Sequence, residues 1–179
     1  MKHLLFIPGS LRAASSSRAT ARALIQRLEG RATCEEADPG LLPHYNADLE
    51  KPDEVGAFTD SIGRADGVVF VTPEYNYSVP GVLKNAIDWA SRPAYASVFK
   101  GKPCFVVSVS GGALGGVRAQ AHLKYILGGM MAAVFPWQEV IVPQAGQKVV
   151  DGVLADDQVL DFAMEALEAF IAGLETAGG

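Results

Sequence analysis

No stretch of this chain is apolar for long enough to cross a bilayer, which takes about 20 residues. The amino-terminal run LLFI stops at Pro8 and Gly9, too short for the apolar region of a secretory signal. A cytoplasmic protein without a membrane partner is therefore expected. Basic residues are also scarce. A net charge of -5 has the wrong sign for a protein that grips duplex phosphates, so no nucleic-acid partner is expected.

Cysteine is nearly missing. Cys34 and Cys104 both fall in segments that read as strands, with no C-x-x-C or Cys/His spacing around them, and read as buried, reduced thiols. His3, His44 and His122 are scattered over a strand, a loop and a helix, so no metal site is expected. Neither G-x-G-x-x-G nor G-x-x-x-x-G-K-[ST] occurs, which leaves out the dinucleotide fingerprint and the triphosphate loop. Internal repeats and low-complexity linkers are absent too.

What the chain does have is a regular alternation of strand and helix in one domain, residues 1–179, with enough apolar sequence (49%) for a sizeable core. The run HLLFIP (3 to 8) reads as a buried strand, and 17 to 30 as a helix ended by Gly30. Residues 32 to 37 form a weak second strand, followed by a loop rich in proline and asparagine and a helix from about Glu54 to Arg64. GVVFVT (67 to 72) and PCFVVSVS (103 to 110) are apolar without alternation, as in a parallel sheet covered on both faces. Between them a helix opens at Pro80-Gly81 and runs to residue 91. A helix over 115 to 134, interrupted at Gly128-Gly129, a fifth strand at about Glu139 to Val142 and a helix from Asp156 to Leu174 complete the chain. Such alternation gives an α/β domain with helices on both sides of a parallel sheet. Its ligands bind outside the carboxyl ends of the strands, where the winding reverses.

Three loops meet that edge. PGSLRAASSSRATARAL (8 to 24) gathers Ser10, Ser15, Ser16 and Ser17 with Arg12 at the start of a helix. A helix amino terminus favours an anion through its dipole and unpaired N–H groups, and one cap needs one serine, not four. A phosphate monoester fits, and flavin mononucleotide carries one beside a flat, polar-edged ring. PEYNYSVPG (73 to 81) supplies tyrosine surface and a proline-stiffened backbone for such a ring, although the same composition also makes plain surface turns. SVSGGALGGVR (108 to 118) is rich in glycine, which lets backbone approach a ligand closely, or simply turns a strand into a helix.

On GSLRAASSSRATARAL and PEYNYSVPGVLKNAIDW the sequence resembles the NADPH-dependent FMN reductase family of flavodoxin-like proteins, with its NAD(P)H quinone, chromate and azo-dye reductases. The resemblance implies a flavodoxin-like three-layer α/β sandwich with a five-stranded parallel sheet of order 2-1-3-4-5. It also implies that Ser10, Arg12, Ser15 and Ser17 hold the FMN phosphate, with Ser17 where many relatives carry asparagine. Pro73, Glu74, Tyr75, Asn76 and Tyr77 would line the ribityl chain and ring, and Ser110, Gly111 and Gly112 would approach the ring. The expected activity is FMN-dependent NAD(P)H oxidoreduction, with quinones, chromate or azo compounds taking turns with the nicotinamide at one ring face in a ping-pong scheme. No catalytic acid or base is required. A flavin reductase that releases reduced FMN and a flavodoxin-type electron carrier are the alternatives, the carrier being disfavoured by GSLR in the phosphate loop and the mild charge.

Arg18 and Arg118 are candidates for a cofactor 2′-phosphate, leaving NADPH or NADH open as co-substrate. Asp156 and Asp157 read as caps of the last helix, and Glu165 and Glu168 as a solvated face. Trp89, Tyr95 and Trp137 read as core aromatics or as contacts of the homodimer or homotetramer that the resemblance implies.

Overall fold

The computed structural model describes residues 1–176. Strand β1 (Lys2–Pro8) is buried from Leu4 onwards because it has protein on both faces: Leu4 and Phe6 pack into one core, Leu5 and Ile7 into the other. The remaining elements follow as α1 (Ser16–Arg27), β2 (Ala32–Glu36), α2 (Asp53–Arg64), β3 (Gly67–Pro73), α3 (Gly81–Ala90), β4 (Pro103–Val109) and α4 (Val117–Gly129). Two short strands, β5 (Ala133–Val134) and β6 (Val140–Val142), a hairpin of β7 (Val149–Val150) and β8 (Val153–Leu154), and the long α5 (Asp157–Thr176) complete the described residues. All pairings in the main sheet are parallel, in the order β2-β1-β3-β4-β5. Side chains of α1 and α5 fill one core and those of α2, α3 and α4 the other, so the sheet is the middle of three layers, the flavodoxin-like arrangement.

Some boundaries differ from the sequence reading. The fifth place in the sheet is shared by β5, beside Pro103 and Cys104, and β6, beside Val107 to Val109. Pro136 lies between them and has no N–H for a ladder. The buried amide of Gln120 bridges the gap, its Nε2 donating to the carbonyls of Val106 (2.9 Å) and Val140 (3.1 Å). Helix α4 accordingly stops at Gly129 instead of continuing to 134, and α1 stops at Arg27, with Gly30 at φ +76 in the turn beyond. The hairpin β7–β8 was not anticipated, since its two-residue strands leave no readable period.

Cys104 is buried, whereas Cys34, on the edge strand β2, is only half-buried. Burial pushes the Cys34 thiol up to about 11 and the Cys104 thiol up to about 12, so both stay protonated at neutral pH. Trp89 is buried and its Nε1 donates to the Pro43 carbonyl, Trp137 is half-buried, and Tyr95 is exposed. Glu168 pairs with Arg31, so that part of α5 is tied to the end of α1.

Asp156, not Asp157, caps α5. Its Oδ1 accepts the Val159 N–H at 3.1 Å and its other oxygen meets Lys148 Nζ at 2.8 Å, while Asp157 pairs with Arg27. The Lys148 hydrogen bond first, and the Val159 N–H second, hold the Asp156 carboxyl below its ordinary 3.8. A depressed native value means that the contribution is present above the unfolded value and is lost as pH falls through the native one. Asp156→Ala is expected to cost about 1 kcal/mol at neutral pH. In urea titrations the difference from wild type should begin to shrink as the solution is acidified below the unfolded value and vanish once the pH lies below the native one.

Candidate functional site

Strand order reverses between β1 and β3, so the loops after these strands separate above the sheet edge and leave a cleft, with the loop after β4 closing its side. The cleft measures about 140 Å³. Its floor and one wall come from Ser10, Arg12, Ser15, Ser16 and Ser17, and the opposite wall from Pro73, Glu74, Tyr75, Val109, Ser110 and Gly111.

The first loop gathers hydroxyl groups and backbone N–H groups at one helix end. Ser15 is the N-cap of α1 and its Oγ accepts the Arg18 N–H at 3.1 Å, while its carbonyl accepts the Ala19 N–H. The N–H groups of Ser16 and Ser17 precede these bonds and form the positive end of the helix. Ser15 Oγ and Ser17 Oγ lie 3.2 Å apart, and Ser10, Ser15 and Ser17 are all buried. Three buried hydroxyls around one helix end are an uncommon concentration of hydrogen-bonding capacity. Arg12 is exposed beside them and makes no ion pair among the described residues. Arg18 is committed elsewhere: its guanidinium meets Glu36 (3.2 Å), Asp38 (2.9 Å) and the Ser10 carbonyl (3.0 Å).

The second loop is a two-residue hairpin turn. Tyr75 and Ser78 exchange both backbone hydrogen bonds, 3.0 and 3.1 Å, and the central residues Asn76 and Tyr77 have φ of 49° and 67°. Positive φ at both centres is the type I′ pattern, uncommon for a tyrosine and a form of local strain that collects at functional sites. The Tyr75 hydroxyl lies 3.1 Å from Ser10 Oγ, joining the second loop to the first across the cleft. Asn76 and Tyr77, expected to line the site, are not among the residues that wall the cleft, and both are exposed.

Glycines in the third loop divide into two kinds. Gly115 (φ +59) and Gly116 (φ +84) are structural: a Cβ on Gly115 would sit 2.9 Å from Ile141 Cβ, and one on Gly116 3.2 Å from Ser108 Cβ. Gly111 instead faces open space, with nothing within 4 Å of an added Cβ, so its backbone borders the cleft bare. Gly112 lies just outside, its N–H donating to Ser110 Oγ at 3.1 Å.

Ser16, part of the serine cluster read from the sequence but outside the phosphate set that the resemblance implies, lines the cleft, and so does Val109, which nothing in the sequence marked. Sequence reasoning also missed the ties of Glu74. The Glu74 carboxylate accepts the N–H groups of Arg118 (3.1 Å) and Ala119 (3.3 Å) and the Arg118 Nη1 (3.0 Å). Arg118 also lies over the Tyr77 ring, 4.5 Å from its centroid. Among the described residues no group of acidic, histidine or cysteine side chains is arranged to hold a metal ion, and no helix is long and apolar enough to cross a membrane.

These features suit a phosphorylated ligand with a flat end. Serine hydroxyls and helix N–H groups are the donors a phosphate takes, and the exposed Tyr75 ring and the bare backbone at Gly111 offer flat surface beside them. FMN therefore fits the donors present.

Comparison with known proteins points the same way. Residues 1–147 match the family described as NADPH-dependent FMN reductase. The chain is 40% identical over 171 residues to an NAD(P)H-dependent FMN reductase of Pseudomonas aeruginosa, covering 93% of this chain and 91% of that protein. It is 48% identical over 124 residues to a quinone reductase of Pseudomonas putida, covering 68% and 67%. The flavoenzyme NAD(P)H:(acceptor) oxidoreductase of Paracoccus denitrificans superposes with a TM-score of 0.88 at 36% identity, over 98% of both chains.

Proposed function

The chain belongs to the NADPH-dependent FMN reductase family, and from this premise we propose that it passes reducing equivalents from NAD(P)H to quinones by a ping-pong mechanism. It is an NAD(P)H-dependent oxidoreductase with FMN as its cofactor and a small molecule as acceptor. Chromate and azo compounds are further acceptors under this reading. When bound, FMN supplies a centre that takes up a hydride and gives up electrons, chemistry the side chains cannot perform.

The chain's part is to bind, orient and expose. We assign Ser10, Arg12, Ser15 and Ser17 to the phosphate. Pro73, Glu74, Tyr75, Asn76 and Tyr77 line the ribityl chain and ring, and Ser110, Gly111 and Gly112 lie along the ring edge. The observation that carries the assignment is the trio of buried serines at the α1 amino terminus, facing a cleft walled by the other two loops. A small cleft whose mouth carries exposed tyrosines favours sequential use of one open face, hence the ping-pong order. Residues 1–179 act as one FMN-binding domain in this proposal, in the cytoplasm, where the two free thiols are at home. Exposed Tyr95 and Tyr125 suit a homodimer or homotetramer.

An absorbance spectrum of the purified protein, before and after anaerobic NADPH, tests the reading. Flavin bands that bleach, with parallel initial-rate lines when NADPH and quinone are varied, are the expected result. Bands that bleach with neither NADPH nor NADH would replace the enzyme by an electron carrier. A colourless protein that reduces added FMN would make the flavin a released product, and intersecting lines would rule out ping-pong order.

A further inference from the structure

Helix α4 begins without a cap of its own. Its N-cap is Gly116, which has no side chain and sits at φ +84, and its first turn contains no acidic residue. The missing acceptor comes from a different loop. Glu74, seated between the end of β3 and the Tyr75–Ser78 turn, takes the Arg118 and Ala119 N–H groups on one oxygen and Arg118 Nη1 on the other. Its side chain is only 12% exposed, although Arg118 itself stays largely open to solvent. Arg118 then returns to the turn, lying over the ring of Tyr77, whose φ of 67° a tyrosine seldom adopts unaided. Glu74, Arg118 and Tyr77 thus close a circuit between the second loop and the helix that follows the third.

We propose that Glu74 is a positioning residue whose carboxylate locks the two ring-facing loops together by capping α4, and so sets where the Asn76 backbone stands against the flavin. The role builds on the FMN reading and makes it more specific: Glu74 borders the cleft, and its carboxylate is bonded to the start of α4. Negative charge at a helix amino terminus is stabilising, and three hydrogen bonds to a carboxylate make a firm tie.

Two measurements test it, on Glu74→Ala, Glu74→Gln and Arg118→Ala. In the FMN-free protein, amide exchange at Arg118 and Ala119 should speed up about tenfold or more in Glu74→Ala, the loss of one charge-assisted bond being worth at least that. Exchange should be affected less in Glu74→Gln, whose amide oxygen still accepts. In the FMN-loaded protein the flavin reduction potential should move in Glu74→Ala, move less in Arg118→Ala, which keeps the backbone caps, and stay near wild type in Glu74→Gln. Unchanged exchange in Glu74→Ala would overturn the cap. A potential that moves as much in Glu74→Gln as in Glu74→Ala would overturn the positioning role and place the Glu74 charge on the flavin itself. If Glu74→Ala does not fold, Arg118→Ala and Glu74→Gln decide alone: no shift in potential in either, with exchange unaltered, overturns the proposal. Wild-type protein that binds no flavin would instead fail the FMN reading, leaving the exchange test of the cap standing.

Discussion

Replacing Ser15 by aspartate is expected to reduce FMN affinity by about a hundredfold while leaving the FMN-free fold intact. Aspartate and serine are equivalent N-caps, and a carboxylate at the first turn is favoured by the helix dipole, so α1 keeps its start. The same carboxylate would face the bound phosphate. At an effective dielectric of about 20 and a separation of about 4 Å, two like unit charges repel by roughly 4 kcal/mol. Screening in a water-accessible cleft reduces that figure, and ~100-fold corresponds to only ~2.7 kcal/mol. Ser15→Ala should behave oppositely, losing about 1 kcal/mol of stability with the cap and little affinity, since Ser10 and Ser17 remain. Titration of each variant with FMN, alongside thermal melts without it, separates the two effects. Wild-type affinity in Ser15→Asp would take the phosphate away from this loop.

The largest loss of stability is expected far from the cleft. Phe170 of α5 is buried against Phe135 (5.4 Å between centroids) and Phe105 (5.7 Å). It lies so close to the start of β3 that a Cβ on Gly67 would be 2.7 Å from its Cζ. Phe170→Ala removes a ring from a rigid three-ring cluster and is expected to cost 3–5 kcal/mol, or on the order of 10 °C in Tm. Since the cluster sits at the amino-terminal edge of the sheet, FMN affinity at temperatures where the variant is folded should match wild type. A melt unchanged within ~2 °C would mean that α5 adds little to the core.

Legibility of the fold followed burial on two faces. In β1, β3 and β4 nearly every residue is apolar because helices cover both sides, and that pattern is readable without coordinates. The fifth strand was only half legible. Val140 to Val142 carried the pattern, while Ala133–Val134 looked like the end of a helix, and Gln120, a buried polar side chain bridging the gap, gave no sign in the sequence. In the candidate site, the serine cluster and PEYNY could be found as local runs, because a helix end and a tight turn are made by neighbours in sequence. Arg12 and Arg18 looked alike as sources of positive charge, yet Glu36 and Asp38 hold Arg18, and Arg12 alone is left facing the cleft.

By itself, then, the sequence determined the alternation of elements, the parallel sheet, and the chemistry gathered in each loop, since these depend on periodicity and on contacts within a few residues. The tertiary structure alone decided which charges are already neutralised, how the edge of the sheet is mended, and that Glu74 caps a helix 44 residues further along the chain. Those outcomes rest on side chains brought together by crossovers, and a distance across a fold is not written in the order of its residues.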